Sequence, residues 1–200
     1  MLRAIAFVSG AALMALEIVG SRVLAPYFGS SVFVWGSLIA VVLAALCLGA
    51  YTGGRLADRM PTGRPLAALM GIAGLTALVM PWAAAAVNRA VFLMNLGPRG
   101  GPLLASIALF TIPGMALGAV TPFVVRLLAD RVERVGGVAG TVSALSAAGS
   151  IVGTLGTAFY LIPAMGVRHI LHLIGAVLLV LSAMALWCTY NGAAPEGDPP

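Results

Sequence analysis

A chain of 200 residues with 61% hydrophobic and only 8% charged side chains, at a mean hydropathy of +1.07, cannot cover a water-soluble surface, so the composition specifies an integral membrane protein. The formal charge of +5 comes from arginines set singly or in short loop clusters between apolar runs, which excludes a continuous basic face for nucleic acid and reads as topology information. Cys47 and Cys188 both lie inside apolar runs, so neither a disulfide framework nor a C-x-x-C metal site is specified, and no cofactor is expected.

Each helix needs about 20 mostly apolar residues to cross the hydrocarbon. The sequence predicts six, over roughly 4–25, 31–54, 66–87, 102–126, 137–161 and 168–190. Residues 1–190 form one transmembrane domain, and the proline-rich segment 191–200, NGAAPEGDPP, is expected to be a disordered cytoplasmic tail.

The first span follows Arg3 and continues well past Ala11 and Ala12 without a convincing cleavage site, so it is taken as a membrane helix rather than a signal peptide. It carries Glu17, the one acid placed well inside a span. An ionisable group at mid-helix costs about 2.5–3.5 kcal/mol on insertion scales and normally faces protein or water. At about 1.5 Å per residue, Glu17 lies about 20 Å into the span, and Arg22 lies near the interface, where it can snorkel. Five residues rotate the helix by about 140°, so the two do not form a simple intrahelical pair. Glu17 shares its face with Gly10, Leu13, Ser21 and Leu24. Two roles are open for it: a site for a cation or proton in a solute pathway with Ser21 and Arg22, or a helix tie accepting hydrogen bonds from hydroxyls such as Ser37 or Thr111. Pro26 and Gly29 are expected to close the span.

The second span ends in GGRLADRMPTGR, and Leu56-Ala57-Asp58-Arg59 recurs as Leu128-Ala129-Asp130-Arg131 after the fourth. An arginine near a helix C-terminus favours the dipole, and a short acid beside it can pair with it, which explains the repeat by local chemistry alone. Gly97-Pro98 and Gly100-Gly101-Pro102 precede the fourth span, in which Pro113 and Pro122 predict local kinks. Small residues at spacings of three and four mark close helix approaches: Gly49 with Gly53, Gly114 with Gly118, and Gly149, Gly153 and Gly156 in the fifth span. Either contacts within the chain or a subunit interface can use them. His169 and His172 open the sixth span without a carboxylate or cysteine nearby in sequence, so interface histidines are favoured over a metal site. Tyr27, Trp35, Trp187 and Tyr190 suit an aromatic belt, whereas Trp82 fits it less clearly.

With the amino terminus cytoplasmic, Arg3, Arg55, Arg59, Arg64, Arg126, Arg131 and Arg134 fall inside, against Arg22, Arg89, Arg99 and Arg168 outside. Both termini are therefore expected in the cytoplasm.

The loop GGRLADRMPTGR resembles the signature between the second and third helices of major facilitator superfamily transporters, matched at Gly54, Ala57, Asp58, Arg59, Gly63 and Arg64, with Pro61 and Thr62 making it two residues longer. The stretch ALEIVGSRVLAPYFGSSVFVWGSLIAVVLAALCLGAYTGGRLADR resembles the membrane portion of bacterial fused major facilitator/spermidine synthase-like proteins, in which an E-x-x-x-x-R helix and a P-x-F-G segment recur, here Glu17, Arg22, Pro26, Phe28 and Gly29. GAVTPFVVRLLADR at 118–131 fits the same pattern. The resemblance implies a half-major-facilitator-like bundle in the bacterial inner membrane. Full facilitators have two six-helix halves, each built from inverted three-helix repeats, so six helices imply a homodimer of half-transporters. It also implies a cytoplasmic gate at Gly54, Asp58, Arg59, Gly63, Arg64, Asp130 and Arg131. No Gly-rich nucleotide-binding turn is present, so the aminopropyltransferase activity of the family's soluble domain is not expected of this chain. A non-catalytic membrane subunit that positions a separate synthase-like protein or a membrane complex is the alternative to transport.

Overall fold

The computed structural model describes residues 1–129 and 135–191. It is all-helical over those residues. Six helices are long and apolar enough to cross a membrane: α1 (Leu2–Phe28), α2 (Val32–Arg59), α3 (Gly63–Leu93), α4 (Gly97–Leu128), α5 (Val135–Ala164) and α6 (Val167–Asn191). The chain is thus a multi-pass membrane protein by length and composition.

Each helix overruns its apolar core, because a backbone at the membrane boundary still gains from its own hydrogen-bond ladder. Pro26, expected as a stop, lies inside the last turn of α1, and the chain leaves the helix only at Gly29, whose φ of 73° suits glycine. The run from Gly97 to Pro102, expected to precede the fourth span, forms its first turns instead. Pro98 stands where a helix has no use for an N–H, and φ of proline is already helical. Pro113 and Pro122 sit within α4, which runs through both. α5 is regular only to Leu155 and then widens into a π-helical turn over Gly156–Leu161 before a last short turn, Ile162–Ala164.

Helix α1 touches all five others, α4 is the most deeply buried, and α5 the least. Three pairs pack most extensively: α2 with α4, α1 with α5, and α3 with α6. Small residues make each possible. A Cβ added at Gly49 would collide with the backbone of Met115, and one at Gly53 with Ala119, so α2 and α4 run in the same direction at backbone contact. Gly149 meets Phe7 and Gly153 meets Ala11 in the same way, so α1 and α5 also run together. Gly118 lies against Leu46, as Gly10 lies against Ser146. α3 and α6 cross antiparallel, with Gly71 beside Ser182 and Gly74 beside Gly175.

These contacts obey one exchange. Swapping α1 with α4, α2 with α5 and α3 with α6 maps each close approach onto another: Gly49 onto Gly149, Gly53 onto Gly153, Gly118 onto Gly10, and Gly74 onto Gly175. α1 and α4 are antiparallel, since Phe28 at the end of α1 faces Gly101 at the start of α4 and Gly20 faces Phe110. The first three helices and the last three are therefore packed as an inverted repeat. The start of α1 and the end of α6 lie at one end of the bundle, where Met1 and Leu2 share a cavity with Leu127, Cys188 and Thr189.

Candidate functional site

Glu17 stands on the central helix and is half-buried. Ser21, one turn on, is buried, and its Oγ donates to Ile18 O of the same helix at 2.8 Å. Arg22 is exposed. Among the described residues neither Glu17 nor Arg22 has an ion-pair partner within 4.0 Å, and no hydroxyl of Ser37 or Thr111 donates to Glu17. The three residues share one stretch of α1 without touching through their charged groups.

Next to this stretch lies a polar residue that the sequence reading did not single out. Asn88 on α3 is 1% exposed, its Nδ2 donates to Val23 O at 3.0 Å, and its Oδ1 has no partner. Pro26 lacks the N–H that would serve Arg22 O, so two consecutive carbonyls of α1 face altered partners at this level. The available signal was a polar side chain in an apolar segment, but the predicted third span ended one residue before it.

At the other end of the bundle, the residues of the facilitator-like loop are spread rather than clustered. Asp58 Oδ1 lies 3.3 Å from Arg126 Nε, a pair that ties the end of α2 to the end of α4. Its side chains are 74% and 46% exposed, so solvent screens it. Arg59 is exposed, Gly54 approaches Pro122, and Gly63 abuts the hydroxyl of Thr189. The guanidinium of Arg64 lies 5.7 Å from the Tyr190 ring, and that of Arg55 lies 3.8 Å from the Tyr51 ring. Asp130 and Arg131 lie outside the described residues, as does the segment 192–200.

Of the glycines expected to mark close approaches, Gly49, Gly53, Gly114, Gly118, Gly149 and Gly153 all meet a neighbouring helix, whereas Gly156 borders open space. The widened π turn begins at Gly156, and its residues still pack along α1. His172 stacks on Trp82 with ring centroids 5.2 Å apart, and the Arg168 guanidinium lies 4.9 Å from the same ring. That stack gives Trp82 a packing role between α3 and α6. His169 points to the exposed side.

Three cavities open between the helices, with walls formed by residues other than Glu17, Ser21, Arg22 and Asn88. One of about 510 Å³ is walled by Tyr27, Phe28 and Phe92 where α1, α3 and α4 meet. Another of about 260 Å³ lies between α3 and α4 beside Pro113. A groove of about 330 Å³ runs between α1, α5 and α6. No family model matches the chain, and neither a curated protein nor a solved structure matches it.

Proposed function

We propose that the chain is a small-solute membrane transporter that works as a homodimer of half-transporters, with Glu17 binding a cation or proton. The observation that carries this reading is the exchange relation of the helices, Gly49 and Gly53 against Gly149 and Gly153, and Gly74 against Gly175. Inverted three-helix repeats of this kind build the halves of secondary transporters, whose solute sites lie near the midplane between repeats. One such unit supplies one half, and a second copy completes it. Glu17 suits the coupling site because it is half-buried on the helix that touches all others and has no ion-pair partner among the described residues. The resemblance to facilitators points the same way and assigns gating to Asp58 and Arg59; the Asp58–Arg126 pair is the contact such a gate would break.

The test has two arms. Subunit counting by single-molecule photobleaching in nanodiscs is expected to give two copies, and a monomer at every lipid-to-protein ratio rejects the half-transporter. Vesicles loaded with a pH-sensitive dye are expected to show proton or cation flux that Glu17→Gln abolishes, and unchanged flux removes Glu17 from the pathway.

A second reading is supported by the outward face of α5. Gly136, Gly137 and Gly140 are exposed, and a Cβ on any of them would meet nothing among the described residues, so another helix can approach closely there. A separate membrane protein in that place would make the chain a positioning subunit. Purification in mild detergent with a stoichiometric, different protein favours that alternative.

A further inference from the structure

The cavity of about 510 Å³ opens at the end of the bundle away from Met1, where the last turns of α1 and α3 meet the first turns of α4. Much of its wall is aromatic. The rings of Tyr27, Phe28 and Phe92 stand 6.3–6.4 Å apart, centre to centre, at angles of 45–62°, so they prop one another and leave a ring face for a further planar group. The turn from α3 to α4 closes the cavity: Asn95 at φ 49° and Gly97 at φ 74° both line it, and asparagine and glycine are the residues that accept this backbone most readily. The volume of about 510 Å³ falls within the range of small-molecule sites, about 300–1,000 Å³. No charged side chain lines it.

Charge around the mouth selects the ligand. Each of the three helices that wall the cavity carries an exposed arginine within two turns of it: Arg22 on α1, Arg89 on α3 and Arg99 on α4. The Arg99 guanidinium is braced 5.3 Å from the Phe33 ring at the start of α2, and Arg168 adds a fourth exposed positive charge at the start of α6. Among the described residues none of the four has an ion-pair partner within 4.0 Å. The acids among those residues are Glu17, well inside its span, and Asp58, paired with Arg126 at the opposite end. Unopposed charge of one sign at the mouth of an apolar cleft focuses its field there and enriches ions of the other sign. Cations are repelled, and a neutral ligand gains nothing from the arginines.

We propose that this cavity binds a small organic anion with a planar apolar body, of the aromatic carboxylate class. The ring lies against Tyr27, Phe28 and Phe92, and the carboxylate stays at the mouth, in the field of Arg22, Arg89 and Arg99. The site is complete within one chain and uses neither a second copy nor Glu17, so it stands apart from the transport reading.

The test compares benzoate, benzyl alcohol and benzylamine, which share one ring and differ in charge, for binding to the full chain in phosphatidylcholine nanodiscs. Saturation-transfer NMR reads each probe against empty nanodiscs. Benzoate is expected to bind most tightly and benzylamine most weakly. Arg22→Gln, Arg89→Gln and Arg99→Gln combined are expected to weaken benzoate about fivefold at about 0.01 M salt, the effect of three charges roughly 10 Å away acting through water, and less than about twofold at about 0.15 M. Benzyl alcohol binding is expected to be unchanged in that variant, which shows the cavity intact. Phe92→Ala is expected to weaken all three probes. Glu17→Gln is expected to leave all three unchanged, so failure of this site and failure of transport are read separately. Equal binding of the three probes, an order that favours benzylamine, no binding above empty nanodiscs, or unchanged benzoate binding in the combined arginine variant overturns the proposal. Displacement of benzoate by stoichiometric phosphatidylglycerol overturns it as well, assigning the arginines to a lipid headgroup.

Discussion

Gly74 and Gly175 face each other at the crossing of α3 and α6: a Cβ on Gly74 would lie 3.0 Å from the carbonyl oxygen of Gly175, and one on Gly175 would lie 2.8 Å from that of Gly74. The relation is reciprocal, so neither position has slack that the other could lend. Gly74→Val or Gly175→Val is expected to cost about 1–3 kcal/mol, the usual penalty of overpacking. The double variant is expected to cost less than the sum of the two, because the helices separate once. Thermal melts of detergent-solubilised protein, followed by loss of the monodisperse peak, check both expectations. Gly140→Ala, on an open helical face, is the control and is expected to be neutral or slightly stabilising.

The six spans were legible because an apolar run of about 20 residues has few other readings. Their ends were not, because a helix continues on its hydrogen bonds after its hydrophobicity stops. The third span, read as 66–87, is helical over Gly63–Leu93, and the missing turn contains Asn88 and Phe92. Spacing identified Gly49 and Gly53 as a close-approach face but could not name Met115 and Ala119 as what approaches, since a small residue records only that space is needed. The exchange of the two halves left one shared spacing in the sequence, Gly49 with Gly53 and Gly149 with Gly153, which alone does not say which helices pair. It is carried by backbone proximity, with Leu46 in one half where Ser146 stands in the other. The π turn left no sequence signature beyond the glycine at its start.

The Asp58–Arg126 pair is open to solvent, with both side chains substantially exposed. Exposed pairs of this kind contribute about 0–1 kcal/mol. Asp58→Asn is therefore expected to leave the melting temperature nearly unchanged, and salt is expected to erase what difference there is. If the pair closes a gate, flux changes while stability does not, and the swap Asp58→Arg with Arg126→Asp restores it. A large loss of stability in Asp58→Asn would instead make the pair a structural tie.

Asn88 donates to Val23 O, which α1's own ladder already serves, while its Oδ1 lacks a donor. Replacing it removes one bonus hydrogen bond together with the cost of a buried unpaired oxygen, and these are of similar size, about 1 kcal/mol against about 1–3 kcal/mol. Asn88→Leu, close in shape, is thus expected to be neutral or stabilising by up to about 2 kcal/mol. A marked loss in the same melting assay would show that Oδ1 is used within the bundle, and would assign Asn88 to helix packing.

Glu17 allows the two roles proposed for it to be separated by the sign of one measurement. A carboxylate that ties helices together stabilises the bundle, and its removal lowers the melting temperature. A carboxylate held without a partner for the sake of a passing cation destabilises the resting bundle, because an ionisable group at mid-helix costs about 2.5–3.5 kcal/mol when fully in hydrocarbon. Glu17 is only half-buried, so a fraction of that cost applies. Glu17→Gln and Glu17→Leu are expected to raise the melting temperature, the leucine more than the glutamine, while abolishing flux. Stability gained at the expense of activity is the signature of a site under functional strain. A fall in melting temperature in both variants would assign Glu17 to helix packing.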